Sequence, residues 1–121
     1  MHAGRRPDLV AFNDVRALLQ ASRLHEALAA AVRLTEAHPA VAAGHNILGV
    51  IHASQGDATS AAQIYSELLK EDGSNIAALA GLARCYISTG ALDQAKQTLG
   101  MVPDAKKNDS AVAAARAALD V

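Results

Sequence analysis

The sequence predicts an all-α fold: an αα-hairpin solenoid of three stacked repeats, closed by a C-terminal capping helix. Three observations predict it. First, landmarks return after 34 residues: Ala27, Ala61 and Ala95 are evenly spaced, Gly56 and Gly90 stand the same distance apart, Leu48-Gly49 returns as Leu82-Ala83, and His52 returns as Tyr86. A fixed period of roughly 20–50 residues marks a chain in which each repeat is one supersecondary unit stacked on the next. Second, alanine makes up about a quarter of the 121 residues and β-branched runs are absent, so helix propensity is high throughout. Third, small and bulky residues alternate in a way that suits helix-on-helix packing. Gly49 and Ala61, or Ala83 and Ala95 one period later, let the two helices of a pair approach closely. Leu48 with Tyr65, and Leu82 with Leu99, are expected to fill the space between pairs.

The elements follow in order. Residues 1–7 read as a flexible lead-in, and the repeats span 8–41, 42–75 and 76–109. The first pair is expected at 8–21 and 24–37, ending in the His38-Pro39 turn, and it is the most degenerate copy: Asp14-Val15 stands where the second has Leu48-Gly49. The second pair is expected at 41–54 and 58–71, with Gly56 reaching positive φ to end its first helix. The third is expected at 75–89 and 92–101, with Gly90 in the same role. Asn108-Asp109-Ser110 then offers an N-cap for a last helix at 110–119 within a capping segment 110–121. Val112, Ala115 and Leu119 share one stripe of that helix, while Arg116 and Asp120 stay wet. Its expected seat is the end of the third pair, around Leu82, Leu99 and Met101.

This order of residues resembles the tetratricopeptide repeat: an apolar or aromatic position, Leu-Gly, an aromatic position, Gly, Ala, an aromatic position and a closing Pro. The resemblance covers nearly the whole chain. The closing Pro is Pro39 in the first copy and Gly73 in the second, and Pro103 comes early in the third. Some members of this family clamp a chaperone's C-terminal carboxylate with Lys, Asn and Arg on their first helices. The matching positions here are Phe12, Arg16, Ile47, Ala77 and Gly81, which are mostly hydrocarbon, so that specialisation is not expected.

Composition narrows the function. Net charge is −1 and there are three aromatic residues, with no basic block or stacking platform, so nucleic-acid binding is not expected. No apolar run approaches the roughly 18–20 residues of a membrane span. The opening MHAGRRPD lacks the apolar core of a signal peptide, and the single cysteine, Cys85, permits no internal disulfide. A cytoplasmic protein is expected, monomeric, with weak dimerisation left open. His45 and His52 lie seven apart on one helix face without further ligands, so they are read as packing residues and no metal site is expected. Cys85 is read as a buried, inert thiol. Phosphate-binding glycine loops are absent. The chain is read as no enzyme, with no catalytic residues and no cofactor.

What remains is the groove that the first helix of each pair should line. Helical periodicity places Phe12, Asn13, Arg16 and Leu19, with Gln20, on the inner face of the first helix. The third helix contributes Asn46, Ile47 and Val50 with Ala43 and Ser54. The fifth contributes Arg84 and Ile87 with Ala77, Ala80 and Gly81. Phe12, Ile47, Val50 and Ile87 are the expected anchors for an apolar peptide or helix, with Arg16 and Arg84 at the rim. From Ala61 onward, the strings AAQIYSELLKED, AALAGLARCYISTGALDQAKQTLGMVP and AVAAARAALD also resemble the repeat tail of bacterial thioredoxin-like chaperones. That likeness implies a holdase or co-chaperone module for unfolded clients, but no thioredoxin pattern or C-x-x-C is present. EAHPAVAAGHNILGVIHASQGD is similar to repeats that precede sulfotransferase or glycosyltransferase domains. The leading reading is a protein-interaction scaffold. A holdase is the alternative, and a third reading is an excised or recombined repeat fragment without a partner of its own.

Overall fold

The computed structural model describes residues 7–120. Among them it has seven α-helices and no strand: α1 Pro7–Gln20, α2 Leu24–Ala37, α3 Ala42–Ser54, α4 Ala58–Glu71, α5 Ile76–Ser88, α6 Leu92–Gly100 and α7 Ser110–Leu119. A single 3-10 turn, Asp104–Lys106, precedes α7. Helix ends differ from the sequence-based ranges by no more than one residue. The expected lead-in lies outside the described residues apart from Pro7, which starts α1. Proline suits that position, because the first helical N–H has no partner within the helix and the ring fixes a helical φ. Val121, the last residue of the expected capping segment, also lies outside the described residues.

Each pair closes with the same turn. The Arg23 N–H donates to the Leu18 carbonyl at 3.0 Å, the Asp57 N–H to that of His52 at 2.9 Å, and the Ala91 N–H to that of Tyr86 at 2.8 Å. Donors and acceptors all repeat at the period of 34. The residue before each donor has left-handed backbone: Ser22 at φ 60°, Gly56 at 82° and Gly90 at 82°. A six-to-one hydrogen bond around one left-handed residue ends a helix by satisfying its last carbonyls. The first copy reaches this conformation with serine, where the other two use glycine.

The starts of α3, α5 and α7 repeat as well. Asn75 Oδ1 accepts from the Ala78 N–H at 3.1 Å, and Asp109 Oδ1 accepts from the Ala111 N–H at 2.9 Å. Val41 holds the same place before α3 and has no side-chain acceptor. Asp57 caps α4 by accepting from the Ser60 N–H at 3.1 Å. Hydrogen bonding from the Ser60 side chain and then its backbone N–H holds the Asp57 carboxyl below the usual range, and Ser74 does the same for Asp72.

Each helix packs on the next in sequence, and the first helices of the pairs also touch one another: α1 with α3, α3 with α5, and α5 with α7. Ala27, Ala61 and Ala95 are all completely buried. The core falls into three clusters, around α1–α2–α3, α4–α5 and α5–α6–α7. The pairing of Leu48 with Tyr65 and Leu82 with Leu99 is corrected here. Leu48 packs in the first cluster and Tyr65 in the second, while Leu82 is in the second and Leu99 in the third. Leu48 and Leu82 face the preceding pair, because a one-residue step from the helix-crossing position turns the side chain about 100° around the axis.

What fills the space between pairs is an exchange of volume across a separation of 16 residues. Ala31 shares the first cluster with Ile47, and Leu99 shares the third with Ala115. Between them, Tyr65 meets Gly81. A Cβ on Gly81 would stand 2.4 Å from Tyr65 Cζ, and one on Gly49 would stand 2.7 Å from the same atom. The ring therefore occupies a slot between α3 and α5 that exists because both helices carry glycine there.

Candidate functional site

The faces of α1, α3 and α5 form two shallow hollows that share Val50 and Ala77 and so run together as one trough. The first hollow, about 390 Å³, lies between Phe12, Arg16, Leu19 and Gln20 of α1 and Ala43, Asn46, Ile47 and Val50 of α3, with Ala77 of α5. The second, about 300 Å³, continues over Ala53, Ser54, Ala80, Gly81, Arg84 and Cys85, with Tyr65 of α4 and Ala111 of α7. Ala43, Ala77 and Ala111 stand one period apart and all line the trough, which places the start of α7 where a fourth repeat would begin. Small residues at that register keep the floor open along the stack.

The predicted site residues are distributed as follows. Phe12, Arg16, Leu19, Asn46, Ile47 and Val50 line the first hollow, and Val50 with Arg84 lines the second. Asn13 and Ile87 line neither. Asn13 is exposed, one residue and hence about 100° around α1 from Phe12. Ile87 is half-buried, beyond Cys85, the last α5 residue on the second hollow. The anchors are also unequal. Val50 is 42% exposed, whereas Ile47 is 7% exposed and belongs to the first core cluster, so it offers only an edge. Tyr65 and Cys85 are additions that the sequence reading did not make. The signal for Tyr65 was present in Gly49 and Gly81, which open the slot through which its ring reaches the trough.

The chemistry of the lining is simple. Among the described residues it holds two cations and no carboxylate. The Arg16 guanidinium lies 5.9 Å from the centre of the Phe12 ring, a cation–π distance. Among the described residues, the buried Asn46 Oδ1 has no hydrogen-bond partner, which leaves an unsatisfied amide beside Ile47. Burial pushes the Tyr65 phenol up to about 12, reinforced by Cys85 and opposed by Arg84. Burial likewise raises the Cys85 thiol, against the pull of Arg84, so it stays protonated at neutral pH. Nothing here generates a nucleophile.

Among the described residues, no histidine lines the trough. His45 Nε2 is 2.8 Å from the Pro39 carbonyl, and His52 Nδ1 is 3.8 Å from Asp57 Oδ2. Among the described residues, no group of three His, Cys, Asp or Glu side chains is arranged to hold a metal ion, and no helix is long and apolar enough to cross a membrane. A further hollow is lined by Pro39, His45, Gln63, Ile64, Leu68 and the carboxylates Glu67 and Glu71, and it shares Gln63 and Glu67 with a hollow between α4 and α5 over Ala58, Ala62, Cys85, Tyr86 and Thr89.

Comparisons with known proteins agree with this architecture. Two family models described as tetratricopeptide repeat match residues 13–76 and 52–119, the second covering more than half of the chain, and the chain belongs to the tetratricopeptide repeat family. Among solved structures, it is similar to a tetratricopeptide repeat protein from Parabacteroides merdae, with TM-score 0.78 and 18% identity, over 98% of this chain and 46% of that one. It is also similar to PcrH from Pseudomonas aeruginosa, with TM-score 0.80 and 22% identity, over 97% of this chain and 93% of that one. At these identities the likeness shows the fold. A search of curated proteins found no match. The family is a protein-interaction repeat, and this chain is an interaction module of that general kind.

Proposed function

We propose that the chain is a non-catalytic scaffold whose trough on α1, α3 and α5 accepts an apolar segment of a partner protein. The observation that carries this reading is the continuity of two apolar hollows through Val50 and Ala77 across three repeats. A groove of that length suits a strip or helix with anchors at regular spacing. The unsatisfied Asn46 amide adds a second reason, since a peptide group could pair with it once the side chain turns outward.

The test is a random peptide library selected on the intact chain and counter-screened on a Val50→Asp, Ala77→Asp variant. Both positions are exposed, so the variant should keep its helical circular dichroism, whereas Ile47→Asp would put a charge in the core. Selected peptides should share spaced apolar residues and lose about ten-fold or more in affinity on the variant, because a few central apolar contacts dominate an interface. Peptides that bind both forms equally would place the binding surface elsewhere. Selection of many apolar sequences with no common spacing would identify a holdase for unfolded clients instead.

A further inference from the structure

Taking the trough as the docking site, we propose that its occupant is an apolar protein segment flanked by acidic side chains, one for each arginine of the lining. The whole chain carries a net charge of −1, yet among the described residues the trough holds Arg16 and Arg84 and no Asp or Glu. Each hollow has one arginine: Arg16 beside Phe12 and Leu19 in the first, Arg84 beside Ala80 and Gly81 in the second. Among the described residues neither is within ion-pair distance of a carboxylate, whereas Arg23 is paired with Glu26 and Lys70 with Glu67 on other faces. Arg84 also stands close enough to Tyr65 and Cys85 for its charge to oppose the effect of burial on both, which puts it over the floor of the second hollow.

A wholly apolar occupant would cover both guanidinium groups and strip their water without replacing it, which is unfavourable. A basic occupant adds like-charge repulsion. Carboxylates at the two flanks supply charge-assisted, bidentate hydrogen bonds to groups that have no such partner among the described residues. The apolar middle then sits on Val50 and Ala77, between the two arginines. Charge thus sets the identity and orientation of the occupant, and the hydrocarbon floor sets its shape.

The test uses three synthetic peptides of equal length with the same Leu/Ala centre and with Glu, Gln or Lys at both flanks. Their binding to the intact chain is followed by fluorescence anisotropy at low and high salt. The Glu peptide should bind about ten-fold tighter than the Lys peptide at low salt, with Gln between, and the gap should shrink at high salt. Arg16→Gln and Arg84→Gln should each narrow the gap between the Glu and Lys peptides. The double variant Arg16→Glu, Arg84→Glu should invert the order so that the Lys peptide binds tightest, an outcome that loss of folding cannot produce. Equal affinity for all three peptides, abolished alike by Val50→Asp, would overturn the acidic preference and leave the docking reading standing. Binding of none of them would overturn the preference, and binding indifferent to Val50→Asp would overturn both.

Discussion

Ser22 has a left-handed backbone at φ 60°, in the place where the later copies use Gly56 and Gly90. An L-residue meets a steric cost of about 1–2 kcal/mol there, while glycine loses more chain entropy on folding, by roughly 0.5–1 kcal/mol. Ser22→Gly should therefore stabilise the chain by about 0.5–1 kcal/mol, read as a rise in the unfolding midpoint. Tyr65 sits at the opposite extreme of fit. Gly81→Ala would ordinarily gain about 1 kcal/mol in helix propensity. Here the added methyl runs into the Tyr65 ring, which Gly49 blocks from the other side, so a net loss of about 1–3 kcal/mol is expected. The double variant Tyr65→Leu, Gly81→Ala recreates the Leu99–Ala115 combination of the next interface. It should cost less than the sum of its two singles in urea unfolding, which additive behaviour would contradict. The phenol also gives a pH signature. A group neutral when protonated, raised on folding from about 10 to about 12, contributes stability that is complete below pH 10 and lost as pH rises through 12. Over that window the wild type should lose about 2–3 kcal/mol more than Tyr65→Phe, a difference that separates Tyr65 from the other groups titrating there.

At the scale of elements, the turns and caps are the most regular feature, and most of them were legible in the sequence. The six-to-one turns need one residue tolerant of left-handed backbone, and Gly56 and Gly90 announced two of the three. The third was concealed because serine carries no such signal. The stretch Asn108-Asp109-Ser110 was legible as the cap of α7 for a similar reason, and the structure selects Asp109, whose capping contact spans two residues. Close approach within a pair was legible from Ala61 and Ala95, both of which have no exposed surface. Ala61→Leu should destabilise by roughly 1–3 kcal/mol through overpacking between α3 and α4. An unchanged melting temperature would mean that the helices do not cross at that position.

Across the whole molecule, stability is a sum over neighbouring repeats, and the apolar outer face of the third pair needs cover. α7 supplies that cover, with Val112 and Ala115 completely buried against Leu79, Ala83, Leu99 and Val102. The seat differs from the sequence-based one: Leu82 packs toward α4, and Met101 is 58% exposed even with α7 in place. Removing the segment from Ser110 onward should lower stability by roughly 2–4 kcal/mol on apolar-area grounds. It should also lower solubility, seen as higher-order species in size-exclusion chromatography. A truncated chain that stays monodisperse with an unchanged midpoint would show that α7 is no cap.

The sequence by itself determined the period, the helix ranges, the two glycine turns and the capping helix, because each rests on contacts within about one turn of chain or on a landmark repeated at fixed spacing. It also determined that the trough is apolar with two arginines, since helical periodicity places side chains on faces without knowledge of the neighbour. Only the tertiary structure decided how the faces meet. Ile47 reads as an anchor along α3, and becomes a core residue because Ala31, in another pair, leaves room for it. Gly81 reads as floor, and becomes one wall of a slot because Tyr65 arrives from α4. Such outcomes depend on the summed volumes of residues on different helices, and close packing makes that sum decisive. The pattern along one helix specifies which way a side chain points; the helices packed against it decide whether that side chain is left free to bind.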